Sequence, residues 1–558
     1  MTKSDLQQTV DAKKIFSEKP SPSEYLLNHA KRFNKRIEKV TDGVYSAIGY
    51  AMGNCILIAT EEGNVIVDTT ESLQATKEIR EEFDKISPKP TVAVIYTHGH
   101  TDHVMGTSAF LNGETEVYAN QKTKEFFDMQ FSQLQDILGL RGRRQFGTRL
   151  PEGYVPCAGL GPTLSIDRGK PILVPPTKTF EDSMALKIGG VRFILVHAPG
   201  ETEDQIFIWL PDKKVLISAD NYYPSFPNLY AIRGTAPRPV HQWIRSLDKM
   251  RGLGAEYMVP CHSEPIRGSE RIDELLTMYR DAIQYVHDAV VRGANQGKTP
   301  DELVEEIKLP PHFDDYPEIL QLYGQVSWSI RAIYEGYLGW FDGNATNLSS
   351  LSPKVRGQKI IDIAGGSNRL LEEGKKAIET GEYQWAAETS DMLLAVSPEN
   401  TSALELKVEA LYKLGESSHS STGRSYYFTQ ALELAGELPI RPIPLKVKLA
   451  NALAMPLETF FENMSIRLDP HASFDKWIAV GFKITDTNET YTVIVRRGIA
   501  EVRVGCSEKS DLIVHLQGDL WKEISLGAIN PEEAINEGSL KIEGNLELLK
   551  EFNSLFNA

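Results

Sequence analysis

The segment Thr97-His98-Gly99-His100-Thr101-Asp102-His103 restricts what this chain can become more than any other part of it. Three imidazoles and a carboxylate fall within six residues, directly behind an apolar, β-branched run containing Val92, Val94 and Ile95. Alternate side chains at a strand end face one way, so His98 and His100 converge on one point. Asp102 and His103 lie where the chain turns into a helical pattern, free to face a second point from the other side. Imidazole nitrogens mixed with carboxylate oxygens suit Zn²⁺ or a similar divalent ion. A histidine-rich surface loop is the bland alternative; the preceding strand and the partners downstream argue against it.

Those partners follow in order. The run Val191–Val196 ends in His197-Ala198-Pro199-Gly200-Glu201-Thr202-Glu203-Asp204, a tight turn closing on a carboxylate. Val215-Leu216-Ile217-Ser218 ends in Ala219-Asp220-Asn221, and Tyr257-Met258-Val259-Pro260 ends in Cys261-His262. Four strand-to-loop junctions therefore each end in a potential ligand, which is how an α/β sheet assembles a site from distant sequence. With Gly53-Asn54-Cys55 and Gly63-Asn64-Val65-Ile66-Val67-Asp68 near the start, the arrangement resembles the metallo-β-lactamase superfamily. That superfamily's pattern is H-x-H-x-D-H, a histidine after a Pro-Gly turn, a bridging aspartate and a last histidine. Glu201 stands where the histidine after the turn is usual, a mark of the alkylsulfatase branch. Leu160–Thr163, Val174–Thr177, Asn228–Gly234 and Tyr323–Arg331, running into Tyr337–Asn344, look like motifs of the same branch. The resemblance thus covers nearly the whole chain.

The resemblance implies an α/β fold: an αββα sandwich, then an all-α domain that mediates homodimerisation, then a C-terminal α+β domain similar to sterol carrier proteins. Such a C-terminal fold carries an apolar tunnel for acyl chains, although its apolar residues equally fit a plain core. The implied cofactors are two Zn²⁺ or similar divalent ions. His98, His100 and Glu201 would hold one, Asp102, His103 and His262 the other, and Asp220 would bridge them. Two such ions about 3.5–4 Å apart share a water and bring its pKa towards neutrality. The implied substrate is an alkyl sulfate of the dodecyl sulfate type, cleaved to alcohol and inorganic sulfate. Arg233 and Asn228 match the positions that grip sulfate, and planar guanidinium donors suit its oxygens. Tyr222, Tyr223, Phe226 and Tyr230 share that loop; they fit either an apolar channel, with Tyr230 as a substrate contact, or simple packing. The leaving oxygen needs a proton or charge stabilisation. Relatives often carry a histidine where this chain has Trp328, and His241 is the nearest replacement acid, unless it merely faces solvent from an amphipathic helix. The competing readings are another hydrolase on the same scaffold, acting on a phosphodiester, thioester or lactam, and a lipid-binding protein with an inactive metal site.

Bulk properties bound these readings. At 558 residues the chain is too long for one core and should hold about three domains. A net charge of −16 argues against nucleic acid or an anionic membrane surface as partner, so an anionic substrate must be drawn in by local positive charge. Cys55, Cys157, Cys261 and Cys506 lie far apart without a C-x-x-C pair, which favours free thiols in a reducing compartment. Cys261 beside His262 is read as a buried strand-end cysteine rather than a soft ligand. The polar first thirty residues carry no signal-peptide pattern, no apolar span follows, and the expected location is cytoplasmic.

The expected domains are 1–270, 271–438 and 439–558. Helical spacing begins at Ile272; Leu371–Val396 with Ser402–Leu414 read as a helix pair, and the turn Gly381–Ala387 has a tetratricopeptide flavour as one unit rather than an array. Leu438–Pro444 reads as a linker. Behind it the sequence predicts a helix over Val447–Phe460 and strands at Ser465–Leu468, Trp477–Ile484, Tyr491–Arg496, Ile499–Val504 and Asp511–Leu516.

Overall fold

The computed structural model describes residues 15–16, 19–130, 134–164, 173–440, 444–506 and 509–556. Residues 1–14 of the polar N-terminal stretch and 441–443 of the Leu438–Pro444 linker lie outside the described residues. The chain divides into two compact units, Met1–Lys124 with Leu140–Ile440, and Glu125–Gly139 with Arg441–Ala558.

Among the described residues of the first unit, two sheets form. One runs β1 (Arg36–Thr41), β2 (Val44–Ile48), β3 (Cys55–Ala59), β4 (Asn64–Val67), β5 (Thr91–Ile95), β6 (Glu116–Asn120) and β7 (Lys178–Phe180), in that spatial order. The other comprises β8 (Ser183–Ile188), β9 (Val191–His197), β10 (Ile206–Leu210), β11 (Val215–Ala219), β12 (Tyr257–Pro260) and β13 (Ile266–Arg267). The period-two alternation of β-branched residues explains how the sheets pack. Val65, Val67, Ala93 and Ile95 of the first sheet share one core with Ile206, Ile208, Val215, Ile217 and Val259 of the second. The intervening Phe207, Leu216 and Met258 face the other way, into a core with Trp243, Leu247 and Leu276 from the helices Val240–Arg251 and Ser269–Asn295. Each fully buried side chain of this size contributes about 1.5–3 kcal/mol of transfer free energy. Helix Leu73–Ile86 packs against the first sheet through Ile79 and Phe83, and the αββα order is complete.

Strand direction puts the expected ligands on one rim. β4, β5, β6 and β7 are mutually parallel, and β11 is parallel to β12. β9 and β11 both run antiparallel to β10, so they share a direction. The C-terminal ends of β4, β5, β9, β11 and β12 therefore deliver Asp68, His98, Glu201, Asp220 and His262. The backbone is bent there: Asp68, Ala219 and Ser263 adopt φ of 55°, 57° and 70°. Non-glycine residues held in this region cost about 1–3 kcal/mol each and persist where surrounding structure over-determines them.

Helices follow to Leu434. Leu371–Val396 is not one helix: Ser367–Thr380 and Tyr383–Val396 are separated by Gly381 at φ 81°, a conformation that caps the first helix. In the second unit the sheet order is β16 (Ile499–Val504), β15 (Thr490–Arg496), β14 (Trp477–Ile484), β17 (Leu512–Leu516) and β18 (Lys541–Glu543), with β14 parallel to β17. Two expectations fail in this unit. Val447–Phe460 is split into helices Leu445–Ala454 and Leu457–Met464, because Pro456 cannot continue the hydrogen-bond ladder. Ser465–Leu468 is not a strand; Ser465–Arg467 forms a 3₁₀ turn that extends the preceding helix, leaving Ile466 exposed.

One buried histidine of the first unit makes folding pH-sensitive. His29 is buried with its ring 5.1 Å from that of Phe33, and its Nε2–H donates to the Gly159 carbonyl at 2.6 Å. Burial pushes its pKa down to about 4. The unfolded chain therefore binds a proton near pH 6.5 that the folded chain refuses, so stability falls as pH drops from about 6.5 to about 4. His29 alone should account for about 3 kcal/mol of this loss. His29→Gln should flatten the stability profile over that window in denaturant melts; an unchanged slope would contradict the assignment.

Candidate metal centre

The ligand side chains meet through their ring nitrogens. Asp220 Oδ2 lies 3.2 Å from His262 Nε2, 3.5 Å from His103 Nε2 and 3.7 Å from His98 Nε2. Asp102 Oδ2 lies 3.4 Å from His103 Nε2 and 3.6 Å from His262 Nε2. His98, His103 and Asp220 form one group able to hold an ion, and Asp102, His103 and His262 another. His100 joins at the edge, its Nδ1 being 2.9 Å from His98 Nε2. Glu201 is placed differently. Its Oε1 is 2.7 Å from Arg238 Nη1, both side chains being almost fully buried.

Outer hydrogen bonds fix which nitrogen of each ring faces inward. His103 Nδ1–H donates to Asp68 Oδ2 at 2.7 Å, and His262 Nδ1–H donates to the Met52 carbonyl at 2.9 Å. His98 Nδ1–H donates to Thr97 Oγ1 at 3.1 Å, and that hydroxyl donates to Asp68 Oδ2 at 2.7 Å. Each of these three rings thus turns the lone pair of Nε2 to the centre. Met52 is held in turn by Glu71, which accepts its N–H at 3.0 Å. The turn between His98 and His100 is clamped by Asp204, whose Oδ2 accepts the Gly99 N–H at 2.8 Å. Gly53 has room for no side chain, since a Cβ there would meet the Asp102 carbonyl at 2.2 Å. Asp68, Asp204 and Arg238 are functional residues that the ligand pattern alone does not reveal; only Asp68, ending a β-branched run, carries a local signal.

The donor set fits divalent cations. His103 Nε2, Glu201 Oε2 and Asp220 Oδ1 are buried and have no hydrogen-bond partner among the described residues, a costly state for polar atoms unless an ion accepts their lone pairs. Charge is distributed to match. Burial and neighbouring cations hold His98 and His100 well below the usual imidazole range. Burial opposes the charged form of Asp102, but His103 overcomes it and draws the carboxyl down to about 2. Asp220 is likewise drawn well below the usual carboxylate range by His262 and His103, against its burial. Burial pushes the Glu201 carboxyl up to about 7, against the pull of Arg238. Cys261 is buried and its thiol is pushed well above the ordinary range, as suits a packed, protonated side chain. Asp68→Asn leaves every ligand atom in place but removes the acceptor that orients His103. It should weaken metal retention about 10–100-fold in chelator competition, and retention at the parent level would contradict that role.

The loop after Asp220 covers the centre. Arg233 Nη2 lies 3.4 Å from His100 Nε2. Asn228 is buried, with its N–H donating to Tyr223 Oη at 2.7 Å and its carbonyl accepting from Arg238. Tyr222 and Phe226 pack with Tyr279 in the helix-side core, and Tyr223 packs with Met52, Leu160 and Tyr323. All three are buried, and Tyr223 also sets its ring 6.3 Å from that of His262; Tyr230 is half-buried and more open. His241 is not part of the centre. Pro239 caps helix Val240–Arg251, whose inward face is Val240, Trp243, Ile244 and Leu247, so position 241 points outward with its ring 6.0 Å from that of His287. Trp328 lies against Gly423 in the helical region.

Comparison with known proteins agrees with this geometry. Family models described as metallo-beta-lactamase superfamily, alkyl sulfatase dimerisation and alkyl sulfatase C-terminal match residues 48–262, 299–437 and 447–558. A linear primary-alkylsulfatase from Pseudomonas sp. is 37% identical over 90% of this chain and 98% of its own length. The alkyl/aryl-sulfatase BDS1 of Saccharomyces cerevisiae is 29% identical over 93% of this chain and 82% of its own. The solved structure of the stereoselective inverting sec-alkylsulfatase Pisa1 from Pseudomonas sp. is similar with a TM-score of 0.89 at 26% identity, covering 98% of this chain and 89% of that one.

Proposed function

The chain belongs to the alkylsulfatase family of the metallo-β-lactamase superfamily, and on that premise we propose that it hydrolyses alkyl sulfate esters, dodecyl sulfate among them, to alcohol and inorganic sulfate. The supporting observation is a guanidinium, Arg233, poised 3.4 Å from His100 over a buried centre of unpaired ligand atoms. His98, His100 and Glu201 would hold one Zn²⁺, Asp102, His103 and His262 a second, and Asp220 would serve both. When bound, the pair supplies hydroxide at neutral pH and polarises the ester.

The chain's own residues do the rest. Asp68, Thr97 and Met52 keep the imidazoles aimed at the centre. Arg233 and Asn228 bind the sulfate, a monoanion whose oxygens suit planar N–H donors. Tyr230, the most open aromatic of the loop, faces the alkyl chain. The parts 1–270, 271–438 and 439–558 serve as catalytic, dimerising and C-terminal domains. Four unpaired cysteines, three of them buried, suit a reducing, cytoplasmic setting. Among the described residues no helix is long and apolar enough to cross a membrane.

A homodimer accounts for the exposed apolar side chains of Tyr337, Leu338, Trp340, Leu348, Leu351 and Ile363, inside the segment matched by the dimerisation model. The double substitution Trp340→Asp with Ile363→Asp should halve the mass found by sedimentation; a mass unchanged by it would contradict this interface.

The function is tested with zinc-loaded protein, dodecyl sulfate and a chiral secondary alkyl sulfate in ¹⁸O water. Sulfate release is the expected result, and the label, in alcohol or in sulfate, reports the bond broken. Turnover of a phosphodiester or thioester with none of either sulfate would overturn the proposal.

A further inference from the structure

Gln145 ends the helix Gln135–Gln145 and is 1% exposed. Its Oε1 accepts the backbone N–H of Arg233 at 2.8 Å. That bond fixes the amide's orientation, because a donor cannot face a donor, so Nε2 is turned away from it. Nε2 is buried and has no hydrogen-bond partner among the described residues. Leaving such a group unpaired costs about 1–3 kcal/mol, so a buried donor of this kind is matched by an acceptor: an ordered water, an anion or a ligand.

The surroundings select the ligand. Arg141, one turn earlier, donates to the Ile232 carbonyl at 2.7 Å, so this end of the helix is tied to both residues 232 and 233. Arg233 reaches His100 with its guanidinium, and Arg238 Nε is a second buried donor without a partner. Apart from Glu201 Oε2, which is assigned to a cation, Gln145 Nε2 and Arg238 Nε are both N–H donors, and they suit an oxyanion without hydrogens of its own.

We propose that Gln145 is a substrate-binding residue whose Nε2–H donates to a sulfate oxygen beside Arg233. The inference rests on the sulfate-ester reading given above. Q145E separates it from a mere prop: the carboxylate still accepts the Arg233 N–H, but the donor becomes an acceptor that repels an anion. The KM for dodecyl sulfate and the Ki for inorganic sulfate should each rise at least tenfold in Q145E, with metal content and Tm at parent values. If Gln145 only supports Arg233, Q145E will match the parent while Q145L fails, and the proposal is overturned. Should Q145E lower Tm, Q145M decides: weakened inhibition by sulfate with unchanged inhibition by dodecanol supports the donor, and equal loss of both overturns it. A parent protein inert on every alkyl sulfate sinks the sulfate-ester reading. Calorimetric binding of inorganic sulfate to parent and Q145E then still decides Gln145, equal affinity overturning its role.

Discussion

Asp220→Ala should lower sulfate release by about 10³-fold or more and remove bound metal along with it. Asp220 Oδ2 approaches three imidazole nitrogens within 3.7 Å, and the facing Oδ1 has no partner among the described residues. Among the described residues no other carboxylate lies within 4 Å of both His98 and His262. Without it, each cation would lose an anionic ligand and the imidazoles would lose the charge they now pack against. Metal-derived charge stabilisation is worth several kcal/mol, and each 1.36 kcal/mol is about tenfold in rate. Asp220→Asn, similar in shape but uncharged, should fail almost as badly. Turnover and elemental analysis of both variants check this; parent activity in either would contradict a bridging role.

Arg238→Met should produce the largest loss of stability, and the loss should depend on metal. The Arg238–Glu201 pair is buried with its two side chains 3% exposed each. Removing one partner of a buried pair costs about 3–5 kcal/mol, because the other charge is left uncompensated. In chelator, that corresponds to a Tm lower by about 6–20 °C at the 2–4 °C per kcal/mol usual for domains of about 150–250 residues. In metal-replete protein the drop should be clearly smaller, since a cation on Glu201 supplies the missing positive charge. Calorimetry with and without chelator reads the difference. An equal drop in both states would show that Glu201 meets no cation.

The candidate ligands were legible in the sequence for a local reason. His98, His100, Asp102 and His103 are spaced within one strand end and one helical turn, and Glu201, Asp220 and His262 each end a β-branched run. Asp68 carries the same mark, yet its task of orienting His103 depends on a pairing across 35 residues. Asp204 reaches Gly99 across 105 residues, and Gln145 reaches Arg233 across 88. No periodicity encodes such contacts; they exist only once the sheets are stacked. The sandwich was readable because alternation assigns each residue to a face. Ser465–Leu468 misled because four residues cannot separate a period of two from a period near three. His241 misled because nearness in sequence to Arg233 says nothing about which face of the next helix it occupies.

The most direct test of the central claim is zinc titration of fully chelated protein while sulfate release from dodecyl sulfate is followed. No release is expected at the start, with recovery that saturates near two equivalents per chain. Full release by protein shown to be metal-free would contradict it.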